Sequence, residues 1–355
     1  MKPPFRADHV GSLLRPPKLA HARAMRTPDL AQVQEEAIRE VVAKQEAIGL
    51  ESITDGEFSR DWWHLDFLAQ LEGVTLANNA GPKFDGTVEQ PPVPQVTGKV
   101  RYSAPIMIDD FAFLRCTTKK TAKFTIPAPS MLHLRAGRAG ISREAYPDME
   151  EFWDDAAKAY RDAIAAFAKA GCTYLQLDDV SFAYLCDPKI RETAVKNGDD
   201  PDRLPGIYAR TISRALENRP ANMTVTMHTC RGNFKSAFVA SGGYEPVAEA
   251  MFSSSVDGFF MEFDSERSGG FEPLRFVPRG KKVVLGLVTT KVGGLEGAES
   301  LKARIQAATK YVPLEDLCLS PQCGFSSTHH GNKLSADDQW RKLERIVQVA
   351  REVWK

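Results

Sequence analysis

The 355-residue chain is 43% hydrophobic and 26% charged, and its 46 basic and 46 acidic side chains cancel. That composition excludes a disordered, collagen-like or coiled-coil chain, and the balanced charge offers no basic field to a nucleic acid or an anionic membrane. The length fits two average domains or one large α/β barrel.

The opening MKPPFRADHV has no apolar stretch of leader length, and no run approaches the roughly 20 apolar residues of a bilayer span, so a cytoplasmic protein is expected. Six cysteines are too few for a disulfide scaffold at this length, which makes metal binding or catalysis the better reason for any that cluster.

In chain order, short apolar runs predict strands at Ala7 to Ser12, Ser52 to Asp55, Lys123 to Pro127, Thr173 to Asp178, Met223 to His228, Gly258 to Phe263, Val283 to Val288 and Leu317 to Pro321. Helices are predicted between them, at Leu30 to Ile48, Glu151 to Ala170, Pro201 to Asn218, Tyr244 to Phe252, Leu295 to Thr309 and Asp337 to Val353. In the second helix Phe152, Ala156, Ala159, Tyr160, Ala163, Ile164, Phe167 and Ala170 follow the i, i+3, i+4 rhythm of one buried face, and Gly171 supplies the left-handed stop. Eight strands with interleaved helices predict an α/β fold of the (β/α)8 TIM-barrel type, with residues 1–355 as one domain. Residues 59–122 break the alternation with Pro91, Pro92, Pro94 and Pro105, and are expected to be a hairpin-bearing insertion between strands 2 and 3. Trp62, Trp63 and His64 within it read as a local hydrophobic cluster rather than a roof over the barrel.

The sharpest local feature is Met227-His228-Thr229-Cys230, at the end of the fifth predicted strand. Residues i and i+2 of an extended chain point the same way, so His228 and Cys230 can converge on one metal ion. Glu262 ends the sixth predicted strand and Cys323 follows the eighth. In a barrel all these C-terminal strand ends ring one mouth, where active sites form. Two thiolates, an imidazole and a carboxylate suit zinc, and a weakly held Glu262 could yield its place to an incoming thiol, which zinc would keep as a nucleophilic thiolate. The bland alternative makes Cys230 and Cys323 small buried hydrophobes and His228 a satisfied core histidine. Burial is the expectation for Cys116, Cys172, Cys186 and Cys318.

Asp178 and Asp179 close the fourth predicted strand and Glu57 follows the second. A carboxylate facing the mouth can hold an ammonium group, but two adjacent strand residues cannot face one way, so one of the aspartates is expected to be structural. Gly11-Ser12 could offer donors to a carboxylate. The run Gly293 to Gly297 reads as a helix cap, since it matches no phosphate-binding fingerprint.

Asp8-His9-Val10-Gly11-Ser12, Asp55-Gly56-Glu57, Gln176-Leu177-Asp178-Asp179, His228-Thr229-Cys230, Met261-Glu262 and Pro321-Gln322-Cys323-Gly324 together resemble, nearly end to end, the catalytic half of cobalamin-independent methionine synthase. The resemblance implies catalysis by a zinc held by His228, Cys230, Glu262 and Cys323, with Ser12, Glu57 and Asp178 on the amino-acid end of homocysteine. It also implies the corresponding activity, a 5-methyltetrahydropteroyltriglutamate-homocysteine S-methyltransferase-like transfer. The short single-barrel branch of the family is closer still, through Glu266-Arg267-Ser268 and Thr289-Thr290-Lys291. The chain departs from the full-length pattern in lacking a duplicated N-terminal barrel, a Trp after the third strand, and a His where Val288 stands, so the alkyl donor is left open. His329 and His330 could replace the missing acid or be solvated loop residues, and Lys291 and Arg15 are candidate anion contacts. The expected partners are a small thiol acceptor and an alkyl donor, with a corrinoid methyl-carrier protein a further candidate, in a monomer or homodimer. The alternatives are epoxide opening by a thiol such as coenzyme M, a non-catalytic zinc or small-molecule-binding barrel, and a metal-free decarboxylase-like barrel.

Overall fold

A computed structural model describes residues 2–78 and 91–355, and its strands divide into two sheets. The larger is parallel and runs β1 (Ser52–Ile53), β4 (Thr121–Pro127), β5 (Tyr174–Asp179), β6 (Thr224–Thr229), β7 (Gly258–Glu262), β8 (Lys282–Val288) and β9 (Leu317–Pro321). The smaller pairs β2 (Glu72–Ala77) antiparallel with β3 (Val93–Arg101) and lies between β1 and β4 in the chain. The larger sheet is the wall of a (β/α)8 barrel. Strands β5, β6 and β7 are buried almost throughout, as expected of parallel strands covered on both faces, and this is why they read as continuous apolar runs.

The predicted first strand, Ala7 to Ser12, does not form a regular strand. It makes one parallel bridge, Ala7 to Leu319 on β9, with Asp8 N donating to Leu319 O at 3.0 Å. Its next carbonyls are taken by side chains instead: His9 O by Lys123, Val10 O by Gln176 at 2.7 Å and Gly11 O by Thr54 Oγ1 at 2.7 Å. With those acceptors diverted, no backbone ladder to β1 forms, and the seam is closed by side chains around Asp8. The Asp8 carboxylate accepts from Ser52 Oγ at 2.8 Å, Tyr174 OH at 2.9 Å and Lys123 Nζ at 3.1 Å, and also from the backbone N–H groups of Phe5 and His9. Lys123 and Asp8 are both fully buried.

The helix Met149–Lys169 buries Phe152, Trp153, Ala156, Tyr160, Ile164 and Phe167 along one face, begins on an Asp148 cap and is followed by Gly171 at φ 90°. Each large apolar side chain so buried is worth about 1.5–3 kcal/mol. Three predicted helices are shorter than their sequence pattern. Leu204–Ala215 starts late because Asp200 caps the turn before it, accepting from Asp202 N. Ala248–Ser253 excludes Tyr244, whose hydroxyl accepts from Glu262 N at 3.0 Å, and Ala298–Ala308 excludes Glu296, which accepts from Thr289 N and Lys342. Helices at Pro17–Met25, Ile108–Thr117 and Pro188–Lys196 were not anticipated. Cys116, expected to be buried, is exposed, whereas Cys172, Cys186 and Cys318 are buried. In the span 59–122, residues 79–90 lie outside the described residues. No helix among the described residues is long and apolar enough to cross a membrane.

Lys123→Met strands a buried carboxylate and is expected to cost about 3–5 kcal/mol in urea unfolding. Adding Asp8→Asn should recover part of that loss, so that the double-mutant cycle is clearly non-additive. An additive cycle would mean that the two side chains act separately.

Candidate metal centre and substrate cavity

His228 is the fifth residue of β6, and Cys230 follows the strand with its N–H donating to Asp179 O at 2.7 Å, one more rung of the ladder with β5. Extended geometry to that point puts both side chains on the inner face. Glu262 is the last residue of β7, and Cys323 comes two residues after β9 ends, beyond a register shift between β8 and β9. These four side chains, from three strand ends, are buried, and their ligand atoms lie within 4.8 Å of one another. The two sulfurs are 3.4 Å apart.

The donor set fits a zinc ion. Neither buried ring nitrogen of His228 makes a well-directed hydrogen bond among the described residues, and its near neighbour is the Cys323 sulfur, a pairing that a shared metal ion would account for. The sulfur separation is close to the roughly 3.8 Å that two zinc-bound thiolates span in tetrahedral geometry. Glu262 is steadied from behind: Oε2 accepts from Arg267 at 3.1 Å, and Oε1 from Arg231 N at 3.3 Å and Gln322 at 3.5 Å. The sulfurs have supports too, Gly232 N on Cys230 at 3.3 Å, and Asn233 Nδ2 and Ser327 Oγ near Cys323 at 3.7 Å.

Either of the two sulfurs can donate to the other across their contact. The bond to Cys323, then burial, hold the Cys230 thiol well above its usual range, while the S–H of Cys230, against the opposing effect of burial and with help from His228, holds Cys323 well below it. Burial pulls His228 down, but the Cys323 sulfur and the Asp178 and Glu262 carboxylates outweigh it and raise the imidazole. Burial raises Glu262, and Cys323 adds to it against Arg267 and Lys291. A dication at this group would favour the deprotonated forms of its thiol and carboxyl donors.

Ser12, Glu57 and Asp178 line the same cavity as His228, Cys230 and Cys323, a space of about 590 Å³ including its solvent-open mouth. Glu57 Oε1 accepts from Thr125 Oγ1 at 2.9 Å, and its buried Oε2 has no partner among the described residues. Asp178 Oδ1 accepts from Gln176 at 2.7 Å. Burial pushes Glu57 up to about 7, with Asp178 and Asp55 adding to the rise and Arg60 opposing it. Burial likewise pushes Asp178 up to about 6, against His228, Gln176 and Arg60. Two carboxyl groups held near neutrality on one wall suit a cation. Ser12 Oγ accepts weakly from Ser326 N at 3.4 Å, leaving its own proton to give, and a Cβ at Gly324 would lie 1.9 Å from Ser12 Oγ and displace it from this position. Asp179 is the structural aspartate of the pair, accepting from Ser130 and from Phe182 N at 3.0 Å.

Other expectations are redistributed. Trp62, Trp63 and His64 do border the mouth, with Trp62 stacked on Phe234 at 6.1 Å between ring centroids, so they roof the cavity rather than form a separate cluster. They fold over it because Trp62 bridges to Thr328 and Trp63 N donates to Ser327 O. His329 and His330 pack edge-on against Trp62, outside the cavity lining. Arg15 is a clamp and not an anion contact: its guanidinium donates to the carbonyls of Glu57, Arg60, Ser326 and Thr328 and to Ser326 Oγ. Lys291 donates to Gly232 O at 3.2 Å and Asn233 Oδ1 at 3.4 Å, bracing the loop after β6. Sequence reasoning missed Arg135 and Asn233, single loop residues with no spacing signal, and the support from Tyr244, whose helical spacing pointed to a different role.

Residues 18–352 match the family model described as cobalamin-independent synthase, catalytic domain. A Bacillus subtilis protein named "Uncharacterized protein YxjH" is 46% identical over 365 residues, covering 100% of this chain and 96% of that one. A Pyrococcus abyssi protein named methionine synthase is 25% identical over 352 residues, covering 97% and 89%. A crystal structure from Listeria monocytogenes, described as a candidate vitamin-B12 independent methionine synthase, superposes with a TM-score of 0.81 at 39% identity and covers 100% of this chain and 99% of that one.

The Glu57 carboxyl titrates higher in the folded chain than the about 4.3 of an unfolded glutamate, so its burial costs nothing in acid and progressively destabilises the fold as pH rises through 7. Glu57→Gln removes that charge while keeping an acceptor for Thr125. The variant should be more stable than the native chain at pH 8, by on the order of 1–3 kcal/mol in guanidinium unfolding, with the difference closing near pH 4.5. A variant no more stable at pH 8 would contradict a carboxyl held near neutrality.

Proposed function

The chain belongs to the cobalamin-independent synthase catalytic-domain family, and on that premise we propose that it transfers a methyl group to the sulfur of homocysteine or a close aminothiol, with zinc as its cofactor. The observation that carries this reading is the convergence of His228, Cys230, Glu262 and Cys323 within 4.8 Å, beside an acidic wall in the same cavity. The names of the Pyrococcus and Listeria relatives support the same reaction class.

His228, Cys230 and Cys323 would hold the ion, with Glu262 as fourth, exchangeable ligand. Bound there, zinc would keep an incoming thiol as a thiolate at neutral pH, a stronger nucleophile than the thiol. The remaining work falls to the chain itself. Arg267 donates to Glu262 and to Asp264 at 3.0 Å, so a Glu262 carboxylate that gives up its place keeps a cationic partner. Glu57 and Asp178 accept the substrate ammonium, whose charge draws both carboxyls into their ionised forms. Ser12 Oγ donates to the substrate carboxylate. Held at both ends, the amino acid directs its sulfur at the donor carbon, and fixing the two reactants at near-attack distance supplies much of the rate. The Trp62 and Phe234 roof limits water at the reacting sulfur.

Metal analysis with X-ray absorption at the zinc edge tests the proposal. About one zinc per chain is expected, with two sulfur neighbours alone and three when homocysteine is added. Cys230→Ser and Cys323→Ser should each lose the metal and at least roughly 100-fold in methyl transfer while staying folded by circular dichroism. Turnover at the native rate in either variant, or a sulfur count that homocysteine leaves unchanged, would overturn it.

A further inference from the structure

Two polar side chains on the cavity are left without hydrogen bonds by the residues around them. Arg135, in the turn that follows the short helix Pro129–Leu132, buries Nε and NH1 with no partner among the described residues. His64, 1% exposed, buries both ring nitrogens in the same condition. Both line the cavity that holds Cys230 and Cys323.

Burial draws the Arg135 guanidinium below its usual range, and no carboxylate is among the groups that offset it. Glu57 and Asp178 act on Arg60 instead. The cavity therefore has two separate poles: a carboxyl pole that already answers to a cation, and a guanidinium whose buried Nε and NH1 donors are unmet. Leaving buried donors unmet is costly, and an arginine fork is matched by a planar oxyanion that takes two parallel N–H groups at once. Burial and the neighbouring Arg135 keep His64 well below its usual range, hence neutral, so it can add one N–H to such an anion without a second positive charge. Arg135 and Tyr184 also border an adjoining recess, apolar at Leu134, Leu185, Ile190 and Leu204 and polar at Asn197 and Asp199, with room for the body attached to the anion.

An aminothiol seated at Ser12, Glu57 and Asp178 has no charge left for Arg135. We propose that Arg135 and His64 form the recognition point for a carboxylate on the second substrate, the alkyl donor, with Arg135 gripping both oxygens and His64 one of them. Identifying the ligand as the donor rests on the transfer reaction proposed above; the anion site itself rests on the two unmet side chains.

The test is a titration of the zinc-loaded protein with glutarate, a simple dicarboxylate, followed by tryptophan fluorescence from Trp62 and Trp63 on the same cavity, with uncharged glutaramide as control. Saturable glutarate binding is expected, unaffected by homocysteine, absent for glutaramide, weakened at least roughly tenfold in Arg135→Gln, and partly restored in Arg135→Lys. His64→Gln, which keeps a donor, should bind glutarate within about threefold of the native chain, whereas His64→Leu should weaken it. Homocysteine affinity, read at the zinc edge, should be the same in Arg135→Gln as in the native chain. Glutarate binding that survives Arg135→Gln, or no glutarate binding to the folded native protein, would overturn the proposal. So would competition between glutarate and homocysteine, which would give Arg135 to the acceptor. If homocysteine fails to reach the zinc while glutarate still depends on Arg135, the acceptor assignment falls and the anion site stands.

Discussion

The structure depends on a carboxylate that does the work of a strand. Asp8 sits at the seam where the barrel should close between β9 and β1, and it gathers Ser52, Lys123 and Tyr174, which belong to β1, β4 and β5. An ordinary stave would hold its neighbours by a ladder of N–H to carbonyl bonds. Here the carbonyls of residues 9 to 11 are given to side chains that reach across the interior, so beyond its bridge to β9 the N-terminal segment is fixed by a buried ion pair and side-chain hydrogen bonds rather than by a backbone ladder. The arrangement has a direct functional return, since the same segment ends at Ser12 on the cavity wall.

This seam also explains where the sequence was and was not legible. Strands β4 to β9 were readable because parallel strands buried on two faces are continuous apolar runs bounded by loop residues, as in Tyr174 to Leu177. The segment at residues 7–12 has the same apolar look, and nothing in its composition shows that Lys123 and Gln176, from distant strands, will claim its carbonyls. Helix lengths failed for a similar reason. Tyr244 and Glu296 continue a helical pattern, but each is drawn away by a partner at a strand end, and tertiary hydrogen bonds override local propensity.

The candidate site divides along the same line. His228 and Cys230 could be paired from sequence because a two-residue spacing on a strand has a fixed geometric meaning, and Cys323 and Glu262 followed because barrel strand ends share one mouth. Arg267 behind Glu262 and Arg135 on the cavity wall are loop residues whose roles come only from where the loops fold. The roof was misjudged because its placement is set by contacts of Trp62 and Trp63 with residues 327 and 328, far along the chain. Arg15 looked like an anion contact and is a tie between four loop carbonyls, a distinction that charge alone does not make.

The spacing of the two sulfurs carries a liability. At 3.4 Å, Cys230 and Cys323 are in contact, against about 2.05 Å for a covalent S–S bond. Oxidation of the pair to a cystine would take both sulfurs out of the His228, Cys230, Glu262 and Cys323 group at once. A metal ion and a disulfide would therefore exclude one another at this position, because both need the same two sulfurs.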